Sequence, residues 1–181
     1  GEIRDKETAE MATHAALTGH LVLSTLHTNT AAGALPRLIN MGIEAFLITS
    51  SVNAIIGQRL VRRICENCKT EDKLPEAVID EIAKELEKAN IDAEIKDRTK
   101  WHFYHGKGCD QCHNGYKGRV GIFEVLAMNE EIEALAVKSA PASAIEEEAI
   151  KAGMITMKQD GLVKAIKGQT TVEEVMKATT E

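Results

Sequence analysis

Residues 5–29 read DKETAEMATHAALTGHLVLSTLHTN, and this stretch decides the fold class. Met11, Ala12, Ala15 and Ala16 recur at helical spacing, Asp5 is suited to cap the first turn, and Gly19 is suited to stop the last. A helix is therefore predicted over residues 5–18. Leu21 to Leu26 is a short apolar, β-compatible run between Gly19-His20 and His27-Thr28-Asn29, as expected of a buried strand in a parallel sheet. A helix running into such a strand is half of an α/β unit.

Working outward, Ala31, Ala34, Leu35, Leu38 and Ile39 form a helical stripe closed by Gly42, and Pro36 inside it predicts a kink or a late start. A second helix is expected over residues 44–56. Residues 59–69 are basic, with Arg59, Arg62 and Arg63 preceding Cys65. The charge then reverses: residues 71–98 hold ten acids against five bases. Ile79, Ile82, Leu86 and Ala89 lie at i, i+3, i+7 and i+10 there, and Pro75 suits a first turn, which predicts an amphipathic helix. Residues 106–119 are punctuated by glycine and read as loop, and 120–126 as a strand. Helices are expected over 130–139, 142–152 and 158–167. A last helix opens with Thr171-Val172-Glu173-Glu174, the pattern of a capping box.

The 181 residues suffice for one domain, or one with a small appendage, and for a real core. With 44% hydrophobic and 28% charged residues, wholesale disorder and collagen-like structure are excluded. A net charge of -6 and 3% aromatics argue against a dedicated nucleic-acid binder. No run approaches the roughly 18 apolar residues of a membrane span and no signal peptide opens the chain, so a cytoplasmic location is expected. The start at Gly1-Glu2-Ile3-Arg4-Asp5 without a Met is expected of a chain cut from a longer one.

Cys65-x-x-Cys68 and Cys109-x-x-Cys112 are two hooks, each able to offer two thiolates to one ion. Together they fill a tetrahedral shell, which leaves no place for substrate and predicts a structural zinc. Free thiols or a redox disulfide are the alternatives; neither accounts for two hooks flanked by glycine and polar residues. His113 beside Cys112 is a further candidate ligand or a solvated loop residue. His20 and His27 bracket the apolar run. Seven positions at about 3.3 Å each separate them by roughly 23 Å, and the odd offset turns them to opposite faces. His27 follows the predicted strand, where α/β sheets gather ligands. No GxxxxGK[ST] phosphate loop occurs in the chain.

Taken together, Gly1 to Ala9, Leu17 to Asn29, the tetracysteine module, Gly115-Tyr116-Lys117-Gly118-Arg119-Val120-Gly121-Ile122-Phe123-Glu124, and Asp160-Gly161-Leu162 through Val175 closely resemble the secretion ATPases of type II secretion and type IV pilus assembly. The resemblance implies the carboxyl-terminal part of a RecA-like P-loop ATPase domain carrying a tetracysteine zinc insertion and a helical tail. It divides the chain into the ATPase core over 1–64, the metal module over 65–119 and a strand-plus-helix subdomain over 120–181. In that family the glutamate matching Glu2 ends the Walker B strand and polarises the attacking water. The histidine matching His27 approaches the γ-phosphate, and His20 matches the first histidine of the same box. Arg4 and His20 are carried over as nucleotide-binding residues. The resemblance further implies ATP and Mg2+, a homo-hexamer, and an inner-membrane platform protein as partner. The tetracysteine insertion points to assembly or secretion rather than pilus retraction. Because the phosphate loop, aspartate box and amino-terminal domain of the family are not in the chain, these 181 residues alone are expected to be inactive.

Two other classes compete: a zinc-stabilised module that binds nucleic acid, and a thiol oxidoreductase. The first is opposed by the acidic charge and the shortness of the basic clusters, and the second requires a cysteine of depressed pKa.

Overall fold

The computed structural model describes residues 1–180. In chain order the elements are α1 (Lys6–Leu17), α2 (Ala34–Asn40), α3 (Ala45–Ser51), β1 (Ala54–Ile64), β2 (Lys69–Asp72), α4 (Glu76–Glu87), α5 (Ala93–Lys96), a 3-10 turn (Arg98–Lys100), β3 (Phe103–Gly106), β4 (Tyr116–Ala127), α6 (Glu130–Val137), α7 (Ala142–Lys151), α8 (Met157–Ile166) and α9 (Val172–Thr179). Strand β1 pairs with β4, and β2 with β3. The chain forms two compact units, each built from two segments: Gly1–Gly57 with Val125–Met154, and Gln58–Glu124 with the residues from Ile155 onward. The three consecutive blocks read from the sequence do not coincide with this interleaved division, because the boundaries fall within β1 and β4.

The first unit packs α1, α2, α3, α6 and α7 around Ala9, Leu35, Ile48, Leu126, Ile132, Ala136 and Ile145. Helix α1 begins where the sequence predicts: the Asp5 carboxylate accepts the Thr8 N–H at 2.8 Å and satisfies one orphan donor of the first turn. Pro36 acts as a late start rather than a kink. Helix α2 begins at Ala34, so Pro36 lies among the first-turn residues, whose N–H groups have no intrahelical acceptor.

Two expectations for this unit are corrected. The run Leu21 to Leu26 is not a buried strand of a multi-stranded sheet: it makes one parallel bridge, Glu2 with Thr25, and leaves Leu21 86% and Leu23 81% exposed. Among the described residues only the Gly1–Arg4 segment bridges to it, and those leucines have little to bury against. The helix expected over 44–56 ends at Ser51, and Val52 already has extended angles (φ -93°, ψ 120°). From Ala54 the chain is β1, where Ile55 and Ile56, branched at Cβ, suit a strand better than a helix.

In the second unit Ile82 and Leu86 of α4 pack with Phe103, Leu162, Ile166 and Val175, as the i, i+3, i+7 stripe predicts. Burying each such side chain fully stabilises by about 1.5–3 kcal/mol. Strands β2 and β3 run antiparallel from Lys69 opposite Gly106 to Asp72 opposite Phe103. The arginines of the basic segment lie in the second half of β1, with Val61 turned onto Ile122 and Met157. The expected loop 106–119 is shorter at both ends: Gly106 closes β3 and Tyr116 opens β4. Thr171 caps α9 by accepting the Glu174 N–H at 3.3 Å. The Glu174 carboxylate does not return to Thr171 as a full capping box requires, because Arg62 takes both its oxygens, through Nη2 at 2.6 Å and the backbone N–H at 3.1 Å. The reciprocal box occurs instead at Thr156 and Gln159 of α8.

Candidate functional site

Two groups of polar residues stand out, one in each unit. In the first unit Glu2 is held by the chain at residues 24–27. The Ile3 N–H donates to the Thr25 carbonyl at 2.8 Å, and the Ser24 hydroxyl donates to the Gly1 carbonyl. On the resulting bridge Ile3 packs on the core while the neighbouring positions turn away from it. Arg4 Nη2 lies 2.6 Å from Glu2 Oε2, and His27 Nε2 lies 2.7 Å from Glu2 Oε1. The His27 contact is an ion-pair distance without hydrogen-bond alignment, so the buried Oε1 atom keeps an unsatisfied lone pair. The guanidinium of Arg4 holds the Glu2 carboxyl below the usual glutamate range, against a smaller upward push from burial and with a further contribution from His27.

The structure thus brings together Glu2, Arg4 and His27 of the residues singled out in this part of the sequence. His20 makes a different contact, with Nδ1 3.1 Å from the Thr18 hydroxyl. Ser24 was missed by the sequence reading. Its partner lies 23 positions away, and only the three-dimensional pairing reveals it.

In the second unit Cys65, Cys68, Cys109 and Cys112 come together, with all four Sγ atoms within 4.8 Å of one another. The Sγ separations are 3.9 Å for Cys65 and Cys109, 3.7 Å for Cys68 and Cys112, and 3.6 Å for Cys109 and Cys112. A tetrahedral shell with metal–sulfur bonds of about 2.3 Å has edges of about 3.8 Å, so the donor set fits a four-thiolate ion. Each hook is a tight turn: the Cys68 N–H reaches the Cys65 carbonyl and the Cys112 N–H reaches the Cys109 carbonyl, both at 3.3 Å. The Cys65 N–H donates to the Gly115 carbonyl at 2.9 Å, and a Cβ on Gly115 would stand 2.3 Å from the Gly106 carbonyl oxygen. Only glycine allows the two backbones to pass so closely.

Without a metal the thiols compete for charge. Burial raises Cys112, but the N–H of Cys109, its thiol and the N–H of Gly115 bring it to about 7. The N–H of Gln111 lowers Cys109, yet burial and the neighbouring sulfurs push it up to about 12. Burial likewise raises Cys68. Four ionised sulfurs this close require a cation among them. His113 is not in the cluster; its backbone pairs with Tyr116 instead.

A family model described as "Type II/IV secretion system protein" matches residues 1–177. The Type IV pilus assembly ATPase PilB of Thermus thermophilus is 46% identical over all of this chain and 20% of its own length. PilB of Myxococcus xanthus is 47% identical over 97% of this chain and 30% of its own length. The Type II secretion system ATPase E of Vibrio cholerae is 44% identical over all of this chain and 34% of its own length. The chain therefore spans a fifth to a third of these curated relatives. Among solved structures, the ADP-bound pilus retraction motor PilT aligns with a TM-score of 0.62 at 24% identity, covering 100% of this chain and 38% of PilT. The ATPase DotB of Legionella pneumophila aligns at 0.61 and 21% identity, covering 99% of this chain and 37% of DotB. At such identities the likeness concerns the fold: an α/β arrangement shared with secretion ATPases. The paired ends of the Glu2 and His27 segments, the two cysteine hooks and the carboxyl-terminal helices thus fall under one family description almost from end to end, and the chain belongs to the type II/IV secretion system proteins.

Proposed function

We propose that the chain is the carboxyl-terminal part of a hexameric, RecA-like motor ATPase that drives type IV pilus assembly or type II protein secretion from the cytoplasmic side, acting on an inner-membrane platform protein. The observation that carries this reading is the approach of Glu2 and His27 to 2.7 Å from segments 25 residues apart in sequence. In the reaction, water attacks the γ-phosphorus of ATP, the bond to the β–γ bridging oxygen breaks, and ADP and phosphate result. Glu2 accepts a hydrogen bond from the attacking water and so orients it, and His27 donates to the γ-phosphate oxygens, where charge is redistributed. Mg2+ bound with the nucleotide neutralises phosphate charge. In this reading His20 serves nucleotide binding, and its side chain, like that of Arg4, lies at the surface. The lack of a GxxxxGK[ST] run supports the view that the isolated 181 residues do not hydrolyse ATP, since positioning supplies much of the acceleration.

The tetracysteine cluster, in this reading, holds one structural zinc. A closed four-thiolate shell leaves no open coordination position for chemistry, so its role is to fasten the two hooks. The test is made in the full-length protein. Glu2→Gln is expected to bind ATP normally and lose turnover, and His27→Ala to lower turnover. Normal hydrolysis by the Glu2→Gln protein would overturn the assignment.

A further inference from the structure

We propose that Arg4 is a positioning residue for Glu2: it grips one carboxylate oxygen so that the other is presented to His27 and the reacting water. This rests on the reading of Glu2 as the water-orienting carboxylate. The placement follows from strand geometry. Glu2 and Arg4 are two apart on the bridged segment and share a face, while Ile3 between them turns onto the core. Arg4 Nη2 at 2.6 Å from Oε2 and His27 Nε2 at 2.7 Å from Oε1 divide the two oxygens between them.

The charges that face Glu2 are Arg4 on its own segment and His27 on the segment bridged to it. The nearby Asp5 carboxylate is committed to the Thr8 N–H, and Lys6 to Glu10. The backbone on either side is already fixed by the Ser24 and Thr25 contacts, so the remaining freedom is that of the Glu2 side chain. A guanidinium removes that freedom and favours the anion in one step. A carboxylate made less basic in this way still suits the reaction, because a loose phosphoryl-transfer transition state asks for orientation of the water more than for strong proton abstraction.

The test separates this role from nucleotide contact. In the 181-residue chain, 13C-labelled glutamate carboxyls are titrated by NMR, with the Glu2 signal assigned by its loss in Glu2→Gln. Arg4→Gln is expected to raise the Glu2 midpoint toward the ordinary glutamate range, and Arg4→Lys to keep it low. Arg4 is 74% exposed, so both variants are expected to melt as the parent does. In the full-length protein Arg4→Gln should lower kcat about tenfold or more, leave KM for ATP within about twofold, and move the acid limb of kcat upward. Arg4→Lys should restore the limb but only part of kcat, because an ammonium lacks the planar fork. An unmoved Glu2 midpoint in Arg4→Gln, or weakened ATP binding with unchanged kcat, would overturn the proposal. Wild-type turnover by Glu2→Gln would instead defeat the reading of Glu2, and the NMR titration would still decide whether Arg4 grips it.

Discussion

Stripping the metal from the tetracysteine site should destabilise the second unit selectively. The two hooks are 44 positions apart, and an ion joining them closes that loop in the unfolded chain as well. At (3/2)RT ln n the closure is worth about 3 kcal/mol, and the relation used for disulfides gives about 4 kcal/mol. Loss of the ion therefore removes about 3–4 kcal/mol, a large part of the stability of a unit this size. The chain contains its own reporter. Trp101 is the sole tryptophan, lies in the second unit, stands edge-on to Phe103 at 6.3 Å and donates Nε1–H to the Ile95 carbonyl at 2.6 Å. Urea unfolding followed by Trp101 fluorescence, before and after chelation verified by elemental analysis, should show a fall in the midpoint. Helices α1 to α3 of the first unit, followed by backbone hydrogen exchange, should keep their protection. An unmoved Trp101 transition after proven metal loss, or a chain purified without chelator that carries far less than one zinc, would refute the reasoning.

Two other consequences are open to measurement. A Cβ on Gly161 would stand 2.6 Å from Val175 Cγ1 and 3.4 Å from Ile122 Cγ2, so Gly161→Ala should lose about 1–2 kcal/mol in denaturant unfolding, overpacking outweighing the helix gain of about 1 kcal/mol; a stabilised variant would contradict this. Glu174→Gln breaks the charged contacts to Arg62 and should cost about 1.5–3 kcal/mol at neutral pH. Arg62 holds Glu174 below the usual carboxylate range, so this contribution is complete above the unfolded value of about 4.3 and is lost as pH falls through the lowered folded value. The difference between parent and variant should accordingly shrink on acidification, and a constant difference would exclude the linkage.

How far the sequence could be read depended on whether the deciding partner was local. The caps at Asp5 and Thr171, the stripe Ile82 and Leu86, and the cysteine hooks all depend on neighbours within a few positions, and each was legible. Strand β1 was not. Its inward positions include Gly57 and Arg59, which interrupt the apolar alternation, and its pairing with β4 crosses some sixty positions. The run Leu21 to Leu26 misled in the opposite sense: its composition fits a buried strand, but burial depends on what lies beside it. At the site, Glu2 and His27 came from the family resemblance, whereas the division of the Glu2 oxygens between Arg4 and His27 is visible only once the bridge to Thr25 aligns the two segments.

The most direct test of the central claim is a structure of the full-length protein with ADP and a metal fluoride that mimics the transferred phosphoryl group. A water is expected in line with the fluoride within about 2.6–3.2 Å of a Glu2 carboxylate oxygen, with His27 Nε2 at a similar distance from the fluoride. A water oriented by another residue, with Glu2 and His27 both out of hydrogen-bond reach of the phosphoryl site, would contradict it.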